Sequence, residues 1–168
     1  MQYDKAANRW ILTQFSVSTT PYLQCVAVST SSDATAANNG YAFSYGNNFP
    51  DYPKLGVWPD AYYVTFNMFA NGVSFAGPRV CAYDRTAMLA GAAATQQCFQ
   101  LGTSVHSLLP SDLDGATAPP AGAPNVLARI TGSSSLQLWK FHVDLGDHSL
   151  LIRVFEPARA TIRHVCHR

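Results

Sequence analysis

FPDYPKLGVWPDAYYVTFNMF, residues 49–69, is the stretch whose reading decides the fold. It holds seven aromatic residues, three prolines and only three charges. Two β-rich runs, KLGVW (54–58) and AYYVTFNMF (61–69), flank Pro59-Asp60, a turn pair. β-branched and aromatic residues suit a pleated, half-buried surface, and a Pro-Asp pair between two such runs reads as a hairpin connection. The stretch therefore builds a sheet.

Outward from it the same signature recurs. RWILTQFSV (9–17), LQCVAVST (23–30), GYAFSYG (40–46), PRVCAYD (78–84) and LQLWKFHVDL (136–145) all read as strands, and Asn71-Gly72 as a further turn. One helix is expected near 85–98: Asp84 can cap it, and TAMLAGAAATQQCF supplies helix formers. LLPSDLDGATAPPAGAPN (108–125) reads as a loop rich in Pro, Gly and Ala.

A repeat is visible. Residues 9–17 laid on 61–69 bring Trp10 onto Tyr62, Leu12 onto Val64 and Thr13 onto Thr65, 52 positions apart. CVAVST and VCAYDR follow in the same order, about 55 apart, and 136–145 reads as the corresponding strand of a third unit. Short antiparallel strands in units of ~50 residues are the size of a propeller blade. The expected fold is all-β, two to three blades with one short helix, over residues 1–147. Residues 148–168 form a separate basic tail, net +3 against −2 for the rest, and hold Glu156, the only glutamate.

Composition narrows the function. The 168 residues allow one domain with a real core. Charged residues are 12%, about half the usual ~25%, and the net charge is +1, so neither nucleic acid nor an anionic membrane is an expected partner. No apolar run approaches a ~20-residue membrane span, so insertion is not expected either. A secreted or cell-surface setting fits the Ser, Thr, Asn and Gln content, although the N-terminus reads as patterned sequence rather than as a signal peptide. Of four cysteines, Cys81 and Cys98 enclose a loop that a disulfide would close in an oxidising compartment.

YDKAANRWILTQF, CVAVSTSSDATAANNGYAF, the 49–69 stretch, VCAYDRTAMLAGAAATQQCFQL, LLPSDLDGATAPPAGAPN and LQLWKFHVD together resemble segments of large secreted bacterial proteins of poorly defined function that look like β-propeller ectodomains. The resemblance covers roughly residues 2–146. It implies an inner piece of a longer protein and carries over no catalytic residues. The departure after Asp147 implies a shifted or foreign terminus. Cut blades expose sheet edges and apolar faces, so self-association is the expected partnership.

Several constellations could carry chemistry. Asp51, Asp60 and Asp84 lie at expected strand ends, and a carboxyl pair ~5–10 Å apart can hydrolyse a glycosidic bond. Tyr52, Trp58, Tyr62 and Tyr63, beside Asp and Asn, could form an aromatic platform that joins ring contact to hydrogen bonds, and carbohydrate is the expected ligand. Ser104 and His106, followed by Asp112 and Asp114, hold the residue types of an esterase or peptidase site. Asp112-Leu-Asp114-Gly starts like a calcium loop, so Ca²⁺ is the one metal considered there. His164, Cys166 and His167 make a weak metal cluster in the tail. The leading expectation is a ligand-binding or scaffold segment, with a hydrolase as the rival and pure self-assembly as the third reading.

Overall fold

The computed structural model describes residues 1–131 and 135–143, together with the backbone of 160–161. The tail and its His164, Cys166 and His167 otherwise lie outside the described residues. The chain forms three four-stranded antiparallel sheets in succession. Sheet A holds β1 (Gln2–Asp4), β2 (Arg9–Phe15), β3 (Leu23–Ser29) and β4 (Asn38–Ser44). Sheet B holds β5 (Phe49–Val57), β6 (Tyr62–Ala70), β7 (Ser74–Tyr83) and β8 (Gln96–Gln100). Sheet C holds β9 (Leu109–Pro110), β10 (Asn125–Thr131), β11 (Ser135–Phe141) and β12 (Ala160–Thr161). In each sheet the spatial order follows the chain order, so each is a meander.

The hairpin in the deciding stretch forms as its residues require. The Trp58 N–H reaches the Ala61 carbonyl across Pro59-Asp60. Asn71 and Gly72 both take positive φ, the tight hairpin turn that such a pair favours. β5 is longer than its sequence suggests because a bulge at Tyr52-Pro53 absorbs the proline: Asp51 faces Asn67, and the next register partner is Lys54 opposite Thr65.

The sheets stack face to face, with sheet B in the middle. Side chains alternate along β6, so Tyr62, Val64, Phe66 and Met68 pack against Ile11, Val26, Val28 and Phe43 of sheet A. Tyr63, with Val80 and Ala82 of β7, packs against Leu127, Trp139 and Phe141 of sheet C. Phe43 stacks on Tyr83 at 4.1 Å on one side, and Tyr63 meets Phe141 edge-on at 5.2 Å on the other. Among the described residues the stack does not close into a ring, so the expected propeller reduces here to its coarser part, three antiparallel sheets.

The repeat keeps its face. Thr13 pairs with Val26 in sheet A, and Thr65 with Val80 in sheet B. Ile11 and Tyr63, 52 positions apart, both point to the following sheet, whereas Tyr62 and Val64 point back to the preceding one. The third unit is corrected. Residues 135–141 are the third strand of sheet C, and its second strand, β10, lies in residues that carry only a weak strand pattern.

The helix is also shorter than expected. α1 spans Arg85–Leu89, with the Asp84 carboxylate accepting the Ala87 N–H as its cap. Gly91, at φ 69°, ends the run, and residues 96–100 become β8. Helix-forming alanines lose here to tertiary pairing, because β8 lies along β7 and sets Cys98 directly opposite Cys81. The two cysteines form the expected disulfide. No helix among the described residues is long and apolar enough to cross a membrane.

Candidate functional site

The first strands of the three sheets converge. Gly56 of β5 comes so close to the chain after β9 that a Cβ there would lie 2.4 Å from the Ser111 carbonyl oxygen. Asp112 fastens the same junction, its Oδ1 accepting the Val57 N–H at 2.7 Å. Two clefts follow one another along this line. The first, open and about 410 Å³, lies among Gln2 of β1, Pro53, Lys54 and Leu55 of β5, and Leu109 and Pro110 of β9. The second, about 330 Å³ and mainly apolar, lies among Lys5, Val57, Trp58, Pro59, Leu113 and Thr117.

A buried ion pair forms the wall of the second cleft. Asp4 is fully buried and receives Arg85 Nε at 2.7 Å and Nη2 at 3.1 Å. The Tyr62 hydroxyl donates to it at 2.9 Å and the Ala7 N–H at 3.0 Å. Burial pushes the Asp4 carboxyl up. The Arg85 hydrogen bonds and charge, with those of Ala7 and Tyr62, outweigh burial and hold it below the usual carboxylate range. Tyr62 is pushed up, first by burial and then by the neighbouring Asp4 charge. Arg85 also reaches the Pro59 carbonyl, so its donors hold the wall together. Lys5 Nζ reaches the Asp114 carbonyl on the facing loop. The Trp58 indole N–H donates to Ala123 at 2.8 Å, which fixes the ring in the cleft.

The other expected residues are dispersed. Asp51 lies near the start of β5 and Asp60 beyond its end, so they sit at opposite ends of sheet B. Asp84 shares the end of Asp60, but its carboxylate caps α1. Burial raises the Asp60 carboxyl, against the Tyr63 hydroxyl at 3.0 Å and His142 Nδ1 at 3.2 Å. The His142 contact lacks hydrogen-bond geometry, and Asp60 Oδ1 is buried with no hydrogen-bond partner among the described residues.

Tyr62 and Tyr63 are both fully buried, on opposite faces of sheet B, so the expected four-residue aromatic platform does not form. Tyr52 is 49% exposed on the bulge, at φ 55°, with Lys54 Nζ 3.9 Å above its ring. Ser104 and His106 share a loop, but the histidine ring contacts Ser107 and the Ser104 carbonyl accepts from Arg129. Asp112, which a triad would need beside His106, is engaged on Val57. Asp112 and Asp114 flank Leu113 in the loop after β9; among the described residues no group of three or more His, Cys, Asp or Glu is placed to hold a metal.

Sequence reasoning found Trp58 but missed Asp4, Lys5 and Arg85. The three residues of β1 and two of β9 are too short to show a period, and only folding brings them beside β5. No family model, curated protein or solved structure matches this chain.

Proposed function

We propose that this chain is a scaffold and ligand-binding segment of a secreted bacterial protein of β-propeller type, and that its ligand is a carbohydrate held along the converged first strands. The observation that carries the reading is the convergence itself: β1, β5 and β9 line the first cleft, and the ends of β1 and β5 with the loop of residues 113–118 line the second, both at one margin of the three-sheet stack. Ligands of radially stacked sheets gather where the inner strands meet. Trp58 supplies a fixed aromatic wall, and Lys5 and Thr117 supply polar groups, the combination that sugars require. The Cys81–Cys98 disulfide supports an oxidising setting. A glycosidase would need two carboxyls ~5–10 Å apart, and Asp60, raised by burial, is the group that supports that alternative.

Calorimetric titration with a panel of neutral and acidic oligosaccharides tests the reading. A binding sugar is expected to lose roughly tenfold in affinity in Trp58→Ala, while Phe75→Ala, at the far end of sheet B and outside both clefts, leaves binding unchanged. Equal loss in both variants, or no binding across the panel, overturns it. Release of reducing ends during the titration would favour the hydrolase.

A further inference from the structure

We propose that the second cleft takes a sugar acid, its carboxylate seated on Lys5 and the open donors of Arg85 and its ring against Trp58. The inference deepens the carbohydrate reading above and rests on it. Three side chains in the cleft wall are charged, and they do not cancel. Asp4 and Arg85 form one neutral unit, joined through Nε at 2.7 Å and Nη2 at 3.1 Å. Asp4 stays ionised in that unit. Burial raises its carboxyl, but the bonds from Arg85, Ala7 and Tyr62 outweigh that and keep it below the usual carboxylate range. Lys5 is left over. Its Nζ donates to the Asp114 carbonyl, a neutral group, and among the described residues no carboxylate is paired with it. The cleft therefore carries one positive charge with no counter-charge in its own wall.

Arg85 adds donors to that charge. A guanidinium has five N–H groups in a fixed fork. Asp4 accepts from two of them and the Pro59 carbonyl, at 3.4 Å, from a third. Even with the Tyr62 hydroxyl beside it, a donor stays open on a side chain that lines the cleft. A planar guanidinium edge and a rotatable ammonium suit a carboxylate, which can accept from both at once. The rest of the wall suits an uncharged sugar poorly. Apart from the charged residues only Thr117 and Trp58 carry a polar side-chain group, and the Trp58 N–H is already engaged by the Ala123 carbonyl at 2.8 Å. Hydroxyls alone would find few partners there, whereas a carboxylate finds two cationic ones. The first cleft lacks this bias, because Lys54 is matched in charge by Asp112 in the same lining. The acidic unit therefore belongs in the second, whose volume of about 330 Å³ suits a small ring.

Calorimetric titration of the full chain with a galacturonic acid trisaccharide, and with the same trisaccharide methyl-esterified at every carboxyl, isolates the charge. The acid is expected to bind roughly tenfold more tightly than its ester at low salt, and the preference to shrink at high salt. Lys5 is exposed, so Lys5→Gln leaves the fold in place. It should reduce the preference to about threefold or less without changing the affinity for the ester, and Lys5→Arg should keep the preference. Equal affinity for acid and ester, with Trp58→Ala still weakening both, overturns this inference and leaves the carbohydrate reading standing. A preference that survives Lys5→Gln in full overturns it too, because the charge then sits elsewhere. Acid binding lost in Lys5→Gln but indifferent to Trp58→Ala would overturn the sugar and leave a bare anion seat. No binding of either probe overturns both the inference and the reading it rests on.

Discussion

Asp4 shows how much one side chain can hold. Its carboxylate is out of water and depends on Arg85, Tyr62 and Ala7 for its charge. Removing one partner of a buried pair strands the other, so Arg85→Ala is expected to cost roughly 3–5 kcal/mol in urea unfolding at neutral pH. The pH dependence follows in sign. Because the folded Asp4 lies below its unfolded value, its contribution is complete above the ordinary carboxylate range. It is lost as pH falls through that range to the lower folded value. The Arg85→Ala deficit should therefore shrink on acidification, and a deficit constant from pH 7 to pH 3 would contradict this account. Gln24 is the opposite case. It is fully buried on the face that sheet A turns to sheet B, and neither amide atom has a hydrogen-bond partner among the described residues. Gln24→Leu keeps much of the volume and removes the unpaired polar atoms, so the urea midpoint should rise, by about 1–2 kcal/mol in stability. A fall would mean that the amide is satisfied in solution. Asp4 was not legible as a site residue, since YDKAANR carries no motif that singles it out. The Arg85 that answers it is 81 positions away.

At the scale of elements, local patterns were read well where they were long. β6 has nine β-branched, aromatic and other strand-suited residues buried on both faces, and its Pro-Asp and Asn-Gly turns are where its neighbours required them. Local patterns misled where pairing overrode them. Alanine-rich residues after Leu89 turn toward β8 because β7 supplies hydrogen bonds and a disulfide partner. Two-residue β9 exists only because β10 and the close approach at Gly56 hold it. Gly56→Ala should accordingly destabilise by roughly 1–3 kcal/mol, since a methyl group 2.4 Å from a backbone oxygen forces β5 away from the β9 segment. Thermal melts with and without the substitution measure it. No change would show that the first strands are not held together as described.

At the scale of the whole molecule, sheet B is the keel, covered on both faces, whereas sheets A and C are each covered by B on one. Opening β6 and β7 requires both interfaces to separate. Amide exchange should be slowest in Tyr62–Ala70 and Ser74–Tyr83 and faster by orders of magnitude in β1 and at the free edge of β4. Uniform protection across sheets A and B would contradict that hierarchy. What the sequence by itself determined is the all-β class, the hairpin of residues 49–69, the 52-residue recurrence and the pairing of Cys81 with Cys98, because strand propensity, turn chemistry and the closing of a short loop are local properties of the chain. Only the tertiary structure decided that β1, β5 and β9 converge, that Asp4 meets Arg85, that Tyr62 and Tyr63 are spent on two separate interfaces, and that β10 is a strand. Each of these depends on contacts between residues far apart in the chain, where short segments carry no period of their own and the energy lies in which surfaces meet.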